Sequence, residues 1–236
     1  MRTGVLTWRP TGMEAHKNLK EEQKKTLSSP RMSYGLLARI LFFTMDLFYG
    51  KKGTFSKFKV LEVIARVPYQ AWEQVSYVAI THNYRTPDFA RRIFEFVQES
   101  RQHQDNEQWH LFILEEYIYK KGIRENFILY RVVPQIIAFI YYHISWILYV
   151  IRPGLSYQLN AEFEDHAEHE YMNFVANNPQ LEEEPFESEF AGDYGTFESV
   201  ADLLRNIAVD ERIHKEESLV RVKNPRFASG QDQPSP

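Results

Sequence analysis

Apolar side chains recur every three or four residues in six long stretches of the chain, the spacing that gathers one face of an α-helix. The first predicted helix covers 33–49. Leu36, Ile40, Phe43 and Leu47 form its stripe, Leu37, Leu41 and Phe48 widen it, and Gly50 ends it. The second runs over 58–82. The third opens at Pro87 and reaches Lys120, and the fourth extends from Gly122 to Val150. Arg152-Pro153-Gly154 interrupts the chain before a fifth helix at 155–177. An acidic linker, LEEEPFESEFAGDYGT, then leads to a sixth at 197–221. No stretch alternates with a period of two, so the expected fold is all-α. Residues 1–30 and 222–236 are polar and rich in turn formers. They are expected to be flexible and to leave 31–221 as one domain.

The fourth helix differs from the others in carrying no formal charge over the 20 residues between Arg131 and Arg152. That length suffices to cross a bilayer. However, Gln135, Tyr141, Tyr142, His143, Ser145, Trp146 and Tyr149 are spread along it, and aromatics with polar tips favour the headgroup boundary. The expectation is therefore an interfacial helix lying in one leaflet, with the first helix as a second apolar element. The competing expectation is a buried core helix.

Two of the amphipathic stretches carry the same four-residue motif. Glu62 is followed 45 residues later by Glu107 and His110, and Glu164 is followed 47 residues later by Glu211 and His214. Residues i and i+3 share a helix face, so each Glu-x-x-His aims a carboxylate and an imidazole at one point. Roughly one such tetrapeptide is expected by chance in a chain of this composition, so the matching upstream glutamates and near-equal spacing carry the argument. Both motifs border apolar stripes, where an unpaired carboxylate is costly. Four carboxylates and two imidazoles from four helices match a carboxylate-bridged pair of iron or manganese ions in a ferritin-like four-helix bundle.

Composition narrows the chemistry. The absence of cysteine excludes disulfides, thiolate metal sites, iron–sulfur clusters and thiol catalysis. Oxygen and nitrogen ligands favour iron or manganese over structural zinc. A formal charge of −4 gives no support to nucleic-acid binding. Aromatics make up 15% of the chain, with 14 Tyr and 17 Phe, a load that suits a membrane interface.

The order of motifs resembles that of the alternative oxidases, and more closely their plastid terminal oxidase branch. The resemblance covers about 55–218. LEVIARVPY (61–69) is similar to the family's Leu-Glu-Thr segment, its ARVPY part to the plastid branch in particular. NEQWHL (106–111) resembles the Asn-Glu-Arg-Met-His-Leu box, FEDHA (163–167) the Leu-Glu-Glu-Glu-Ala box, and DERIH (210–214) the Asp-Glu-Ala-x-His box. The resemblance implies that Glu62, Glu107, His110, Glu164, Glu211 and His214 hold two iron ions. It gives Tyr171 a part in the oxygen chemistry and maps the quinol pocket to Lys57, Leu61, Ala167 and Asp210. Asn106 and Asp210 would orient the imidazoles. Three departures stand out: Ala208 replaces an arginine common in relatives, His166 replaces a glutamate, and the linker at 179–196 is short.

The function this implies is a cyanide-resistant quinol oxidase that reduces O₂ to water with electrons from plastoquinol or ubiquinol and pumps no protons. Its partners would be quinol, O₂ and one leaflet of a membrane, with a homodimer as one option. Residues 1–30 contain no apolar signal region and are too acidic for a transit peptide. The expected location is accordingly the cytoplasmic face of a prokaryotic photosynthetic or respiratory membrane. Two competitors remain at this stage. One is another di-iron enzyme, a quinone-ring hydroxylase or ferroxidase. The other is a helical membrane-surface module without metal.

Overall fold

The structure is a computed structural model, described here for residues 18–225. Its longer helices are α1 (Leu19–Ser28), α2 (Leu36–Tyr49), α3 (Phe55–Asn83), α4 (Pro87–Lys120), α5 (Val133–Ile151), α6 (Pro153–Asn177) and α8 (Val200–Lys223). A single turn, α7 (Ala191–Tyr194), lies in the last linker. Local chemistry sets the ends. Thr54 and Ser199 accept hydrogen bonds from the backbone N–H of Lys57 and Asp202, each 3.1 Å, and so fix the starts of α3 and α8. Pro87 and Pro153 begin α4 and α6, where a missing N–H costs nothing. Gly50, with φ of +79°, closes α2 in a backbone region that favours glycine.

Two antiparallel hairpins make the bundle, α3 along α4 and α6 along α8. Phe58, Leu61, Ile64, Ile113, Leu114, Phe163, Met172, Leu203, Leu204 and Ile207 fill the space between them. Helix α5 lies along α3 and α6, and α2 rests on α6. Among the described residues there is no strand, so the all-α expectation holds.

Three differences from the sequence-based expectation have physical causes. Helix α1 falls within the stretch expected to be flexible, because it docks through polar groups rather than an apolar stripe. Gln23 donates to the Met172 carbonyl at 2.9 Å and accepts from Arg205 at 2.9 Å. Thr26 donates to Glu168 and accepts from Arg212, both at 2.6 Å. The expected flexibility of 1–17 and 226–236 lies outside the described residues. Second, α5 does not begin at Gly122; a π-helical turn at Ile128–Val132 precedes it. Third, α8 starts at Val200, where Ser199 caps it, and α6 starts two residues early, at Pro153.

The buried-core expectation for α5 is not met. Ile128–Ile151 is long and apolar enough to cross a membrane by length and composition, yet only 28% of its most apolar window is buried. Ile137, Ala138, Tyr141, Ser145 and Tyr149 face the bundle. Ile136, Phe139, Ile140, Ile147 and Ile151 point outward, as do Leu36, Ile40, Phe43 and Leu47 of α2. An exposed apolar face built from two helices marks a surface made for something other than water.

Candidate metal centre

Each hairpin contributes one lone glutamate and one Glu-x-x-His to the middle of the bundle: Glu62 from α3 with Glu107 and His110 from α4, and Glu164 from α6 with Glu211 and His214 from α8. All six are at most 4% exposed. Their donor atoms fall into two overlapping sets, Glu62–Glu107–His110–Glu211 and Glu107–Glu164–Glu211–His214. Within each set the atoms lie no more than 4.8 Å apart.

Glu107 and Glu211 belong to both sets, and each divides its two oxygens between them. Glu107 places Oε2 3.7 Å from His110 Nδ1 and Oε1 2.7 Å from His214 Nδ1. Glu211 places Oε1 3.3 Å from His110 Nδ1 and Oε2 3.8 Å from His214 Nδ1. Glu62 Oε2 completes the first set, 3.2 Å from His110 Nδ1.

The donor chemistry fits a pair of cations. Both oxygens of Glu107, both of Glu211, Glu164 Oε2 and His214 Nδ1 are buried without a well-aligned hydrogen bond, and Glu107 Oε1 and His214 Nδ1 approach each other only as an ion pair. Buried polar atoms in native proteins are paired, and lone pairs left free at one point are those of ligands. Four carboxylates carry four negative charges, which two divalent ions balance.

Proton affinities show the same demand for positive charge. Burial, together with repulsion from Glu211, pushes the Glu62 carboxyl well above the usual range. Burial with Glu211 and Glu107 does the same to Glu164. Burial also resists ionisation of Glu107, but the neighbouring His214 and His110 hold it below its ordinary value. Burial disfavours the His214 imidazolium too, yet Glu107 and Glu211 raise its proton affinity well above normal.

Surrounding groups fix the imidazoles and the outer carboxylates. His110 turns Nε2 to Asp210 Oδ2 at 3.1 Å, which leaves Nδ1 facing the centre. The same Asp210 oxygen accepts from Tyr194 Oη at 2.7 Å and from Asn106 Nδ2 at 3.3 Å. Asp210 was expected both behind an imidazole and in the quinol pocket; its carboxylate is engaged in the first place. Asn106 reaches His110 only through Asp210.

Lys57, Leu61 and Ala167 are all buried. Lys57 Nζ is already occupied, donating to Asp46 Oδ1 at 2.8 Å and to the Gly50 carbonyl at 2.7 Å. It ties the end of α2 to α3. His166 turns toward α2 and stacks on Phe42 at 4.0 Å, and burial lowers its pKa to about 4. Ala208 is fully buried in the core.

Tyr171 donates to Glu62 Oε1 and stacks on Phe58 at 4.2 Å. Sequence reasoning missed its counterpart. Tyr69 donates to Glu164 Oε1 at 2.8 Å. Tyr69 follows Glu62 by seven residues, as Tyr171 follows Glu164, so the two halves exchange tyrosines: α3 supplies one to α6, and α6 one to α3. The available signal was the seven-residue step, about two helical turns, after a lone glutamate, whereas Tyr171 was reached through the family resemblance. Tyr194 was also missed, because it lies in an irregular linker that periodicity does not describe.

Comparison with known proteins agrees with this geometry. The chain is 31% identical over 142 residues to ubiquinol oxidase 4, chloroplastic/chromoplastic, of Arabidopsis thaliana. That match covers 60% of this chain and 37% of the relative, just over a third of its length. The family model for alternative oxidase matches residues 11–220, nearly the whole chain, including both Glu-x-x-His motifs and both lone glutamates. The chain belongs to the alternative oxidase family.

Proposed function

We propose that the protein is a quinol oxidase that reduces O₂ to water with electrons from plastoquinol or ubiquinol at one leaflet of a membrane, without pumping protons. The observation that carries this reading is the pair of half-sites sharing Glu107 and Glu211, buried in a bundle whose flank is the exposed apolar face of α2 and α5. In this reading Glu62, Glu107, His110, Glu164, Glu211 and His214 hold two iron ions. When bound, the irons supply oxygen binding and electron storage.

The protein's part is ligation, orientation and exclusion of water. Glu107 and Glu211, which belong to both donor sets, would serve both ions, and Glu62 and Glu164 would each serve one. Asp210, supported by Tyr194 and Asn106, keeps His110 in the tautomer whose Nδ1 faces inward. Tyr171 holds a proton at Glu62 Oε1, where a phenol can release it to a carboxylate as electrons move. Quinol is lipid-soluble, so its pocket must open toward the apolar face. Leu61 and Ala167 would form the pocket wall on α3 and α6. Lys57 would meet the ring oxygen, although its existing bonds to Asp46 and Gly50 make it first a structural residue.

The packing of α5 supports a placement in one leaflet. It runs beside α3 and α6 instead of projecting from them, and its neighbours α4 and α6 both return to the same bundle. Crossing the membrane would pull those helices apart.

The test is oxygen uptake by the iron-loaded protein in liposomes, driven by a short-chain plastoquinol or ubiquinol with cyanide present. Cyanide-resistant uptake that disappears in Glu107→Ala is the expected result. Two bound irons with no quinol-driven uptake would overturn it in favour of a quinone-ring hydroxylase or ferroxidase.

A further inference from the structure

The two exchanged tyrosines have different surroundings. Tyr171 is walled by phenylalanine: Phe58 stacks on it, and Phe174 stands edge-on to Phe58 with ring centres 5.1 Å apart. Phenylalanine rings are hard to oxidise, so an electron hole on Tyr171 stays there. Tyr69 leads elsewhere. Its ring meets Trp72 edge-on at 5.1 Å between centres, and Trp72 meets Tyr157 at 4.4 Å.

Tyrosine and tryptophan are the two most readily oxidised aromatic side chains, and here they are in consecutive contact from the edge of the metal centre outward. Tyr157 also bonds Tyr149, hydroxyl to hydroxyl, at 3.3 Å. Beyond Tyr157 lies the ion pair of Glu99 and Arg221, whose side chains are 33% and 28% exposed. A cavity of about 10 Å³, the room of a single water, is lined by Tyr69, Trp72, Tyr157, His103, Glu99 and Arg221.

We propose that Tyr69, Trp72 and Tyr157 form a one-electron relay that carries oxidising equivalents away from the metal centre when quinol is scarce. The proposal rests on the quinol oxidase reading, which supplies an oxidised centre after reaction with O₂. One electron passes from Tyr69 to the oxidised metal pair, and the phenolic proton moves along the 2.8 Å bond to Glu164 Oε1. The tyrosyl oxygen stays held by Asn160 Nδ2 at 2.9 Å.

Trp72 then returns an electron to Tyr69, which recovers its proton from Glu164. The indole radical cation keeps its own proton, donated to Ser156 Oγ at 2.9 Å. The net change is one electron gained at the centre and one lost from Trp72, with no proton released. A water-soluble one-electron reductant of the ascorbate type, docking beside the partly exposed ion pair, gives up an electron that passes through the Tyr157 ring to Trp72, and the Tyr157 phenol keeps its proton on the bond to Tyr149. A tyrosine whose proton acceptor is a metal-facing carboxylate thus becomes a spill path, and Tyr171 is left undisturbed.

The test is peptide mass mapping after the iron-loaded protein reacts with O₂ in the absence of quinol. Trp146, on the exposed side of α5 and bonded to Gln74 at 2.6 Å, lies off the path and controls for diffusible oxidants. Trp72 should carry oxygen-addition products in the parent protein and lose them in Tyr69→Phe, while Trp146 stays unmodified in both. Added ascorbate should suppress them. Iron content and helical circular dichroism confirm that each variant is loaded and folded. Oxygen consumption with unmodified Trp72, or modification undiminished in Tyr69→Phe, overturns the relay while leaving the oxidase reading intact. Bound iron with no oxygen consumption defeats the oxidase reading and takes the relay with it.

Discussion

Replacing Glu164 by Gln should move the stability of the metal-free and metal-loaded protein in opposite directions. Glutamine keeps the shape and can still accept the Tyr69 hydrogen bond, so only the charge is removed. In the metal-free protein that charge is a burden, since burial and the neighbouring Glu211 and Glu107 raise the Glu164 pKa well above 4.5. For an acid raised in this way, the fold holds a proton that the unfolded chain releases. Its contribution is complete below 4.5 and is lost as pH rises toward the folded value. At neutral pH the substitution should therefore stabilise the metal-free fold by about 1–3 kcal/mol, with each kcal/mol raising the melting temperature by about 2–4 °C.

In the loaded protein the sign reverses. Removing one partner of a buried charge pair costs about 3–5 kcal/mol, which weakens metal binding by about 10²–10⁴ in Kd. Only the set of Glu107, Glu164, Glu211 and His214 loses a donor, so one ion should remain bound in the other. Glu107→Gln, which strikes both sets, should leave none. Calorimetry of both forms, with iron counted by elemental analysis after anaerobic loading, reads each quantity. A metal-free Glu164→Gln that melts lower than the parent, or that still binds two ions, would refute the shared-carboxylate geometry.

Lys57→Met should cost about 2–3 kcal/mol in chemical denaturation, because it removes two hydrogen bonds from a buried ammonium. A loss under about 0.5 kcal/mol with a raised quinol KM would make Lys57 a substrate contact instead. Tyr194→Phe should preserve the fold and lower metal affinity roughly 10–100-fold in chelator competition, since Asp210 loses the donor that steadies it behind His110. Acid should release α1 before the bundle melts. Lys25 and Arg212 hold Glu22 below its usual pKa; burial resists ionisation of Glu168, but Lys215, Thr26 and Arg212 hold it low. Their contribution is present above the unfolded value of 4.5 and fades as pH falls through the folded ones, so pepsin should nick residues 19–28 first.

What the sequence made legible follows from regular geometry. The convergence of the six carboxylates and imidazoles on one buried point could be anticipated because Glu-x-x-His is a helical spacing, and the bundle because its stripes have the helical period. Pro68 sits inside α3 without ending it. Helix α1 was illegible because its docking atoms are Gln23, Thr26 and the partners of Arg212, all polar residues that resemble a solvated tail. Tyr194 reaches Asp210 from an irregular linker, where no periodicity points to an interior position. The engagement of Lys57 with Asp46 depends on how α2 folds back on α3, a tertiary fact that motif matching does not contain.

The depth of the ligand cluster has a consequence for timing. With every one of its six residues at most 4% exposed, no ion reaches or leaves the centre through the closed bundle. Exchange must wait for one hairpin to part from the other, an opening that also breaks the core around Phe58, Phe163 and Leu204. Occupancy is then a record of conditions when the chain folded. A chelator added afterward should strip the centre at the rate of that opening, independent of chelator concentration, and iron offered to the folded metal-free chain should enter at the same rate.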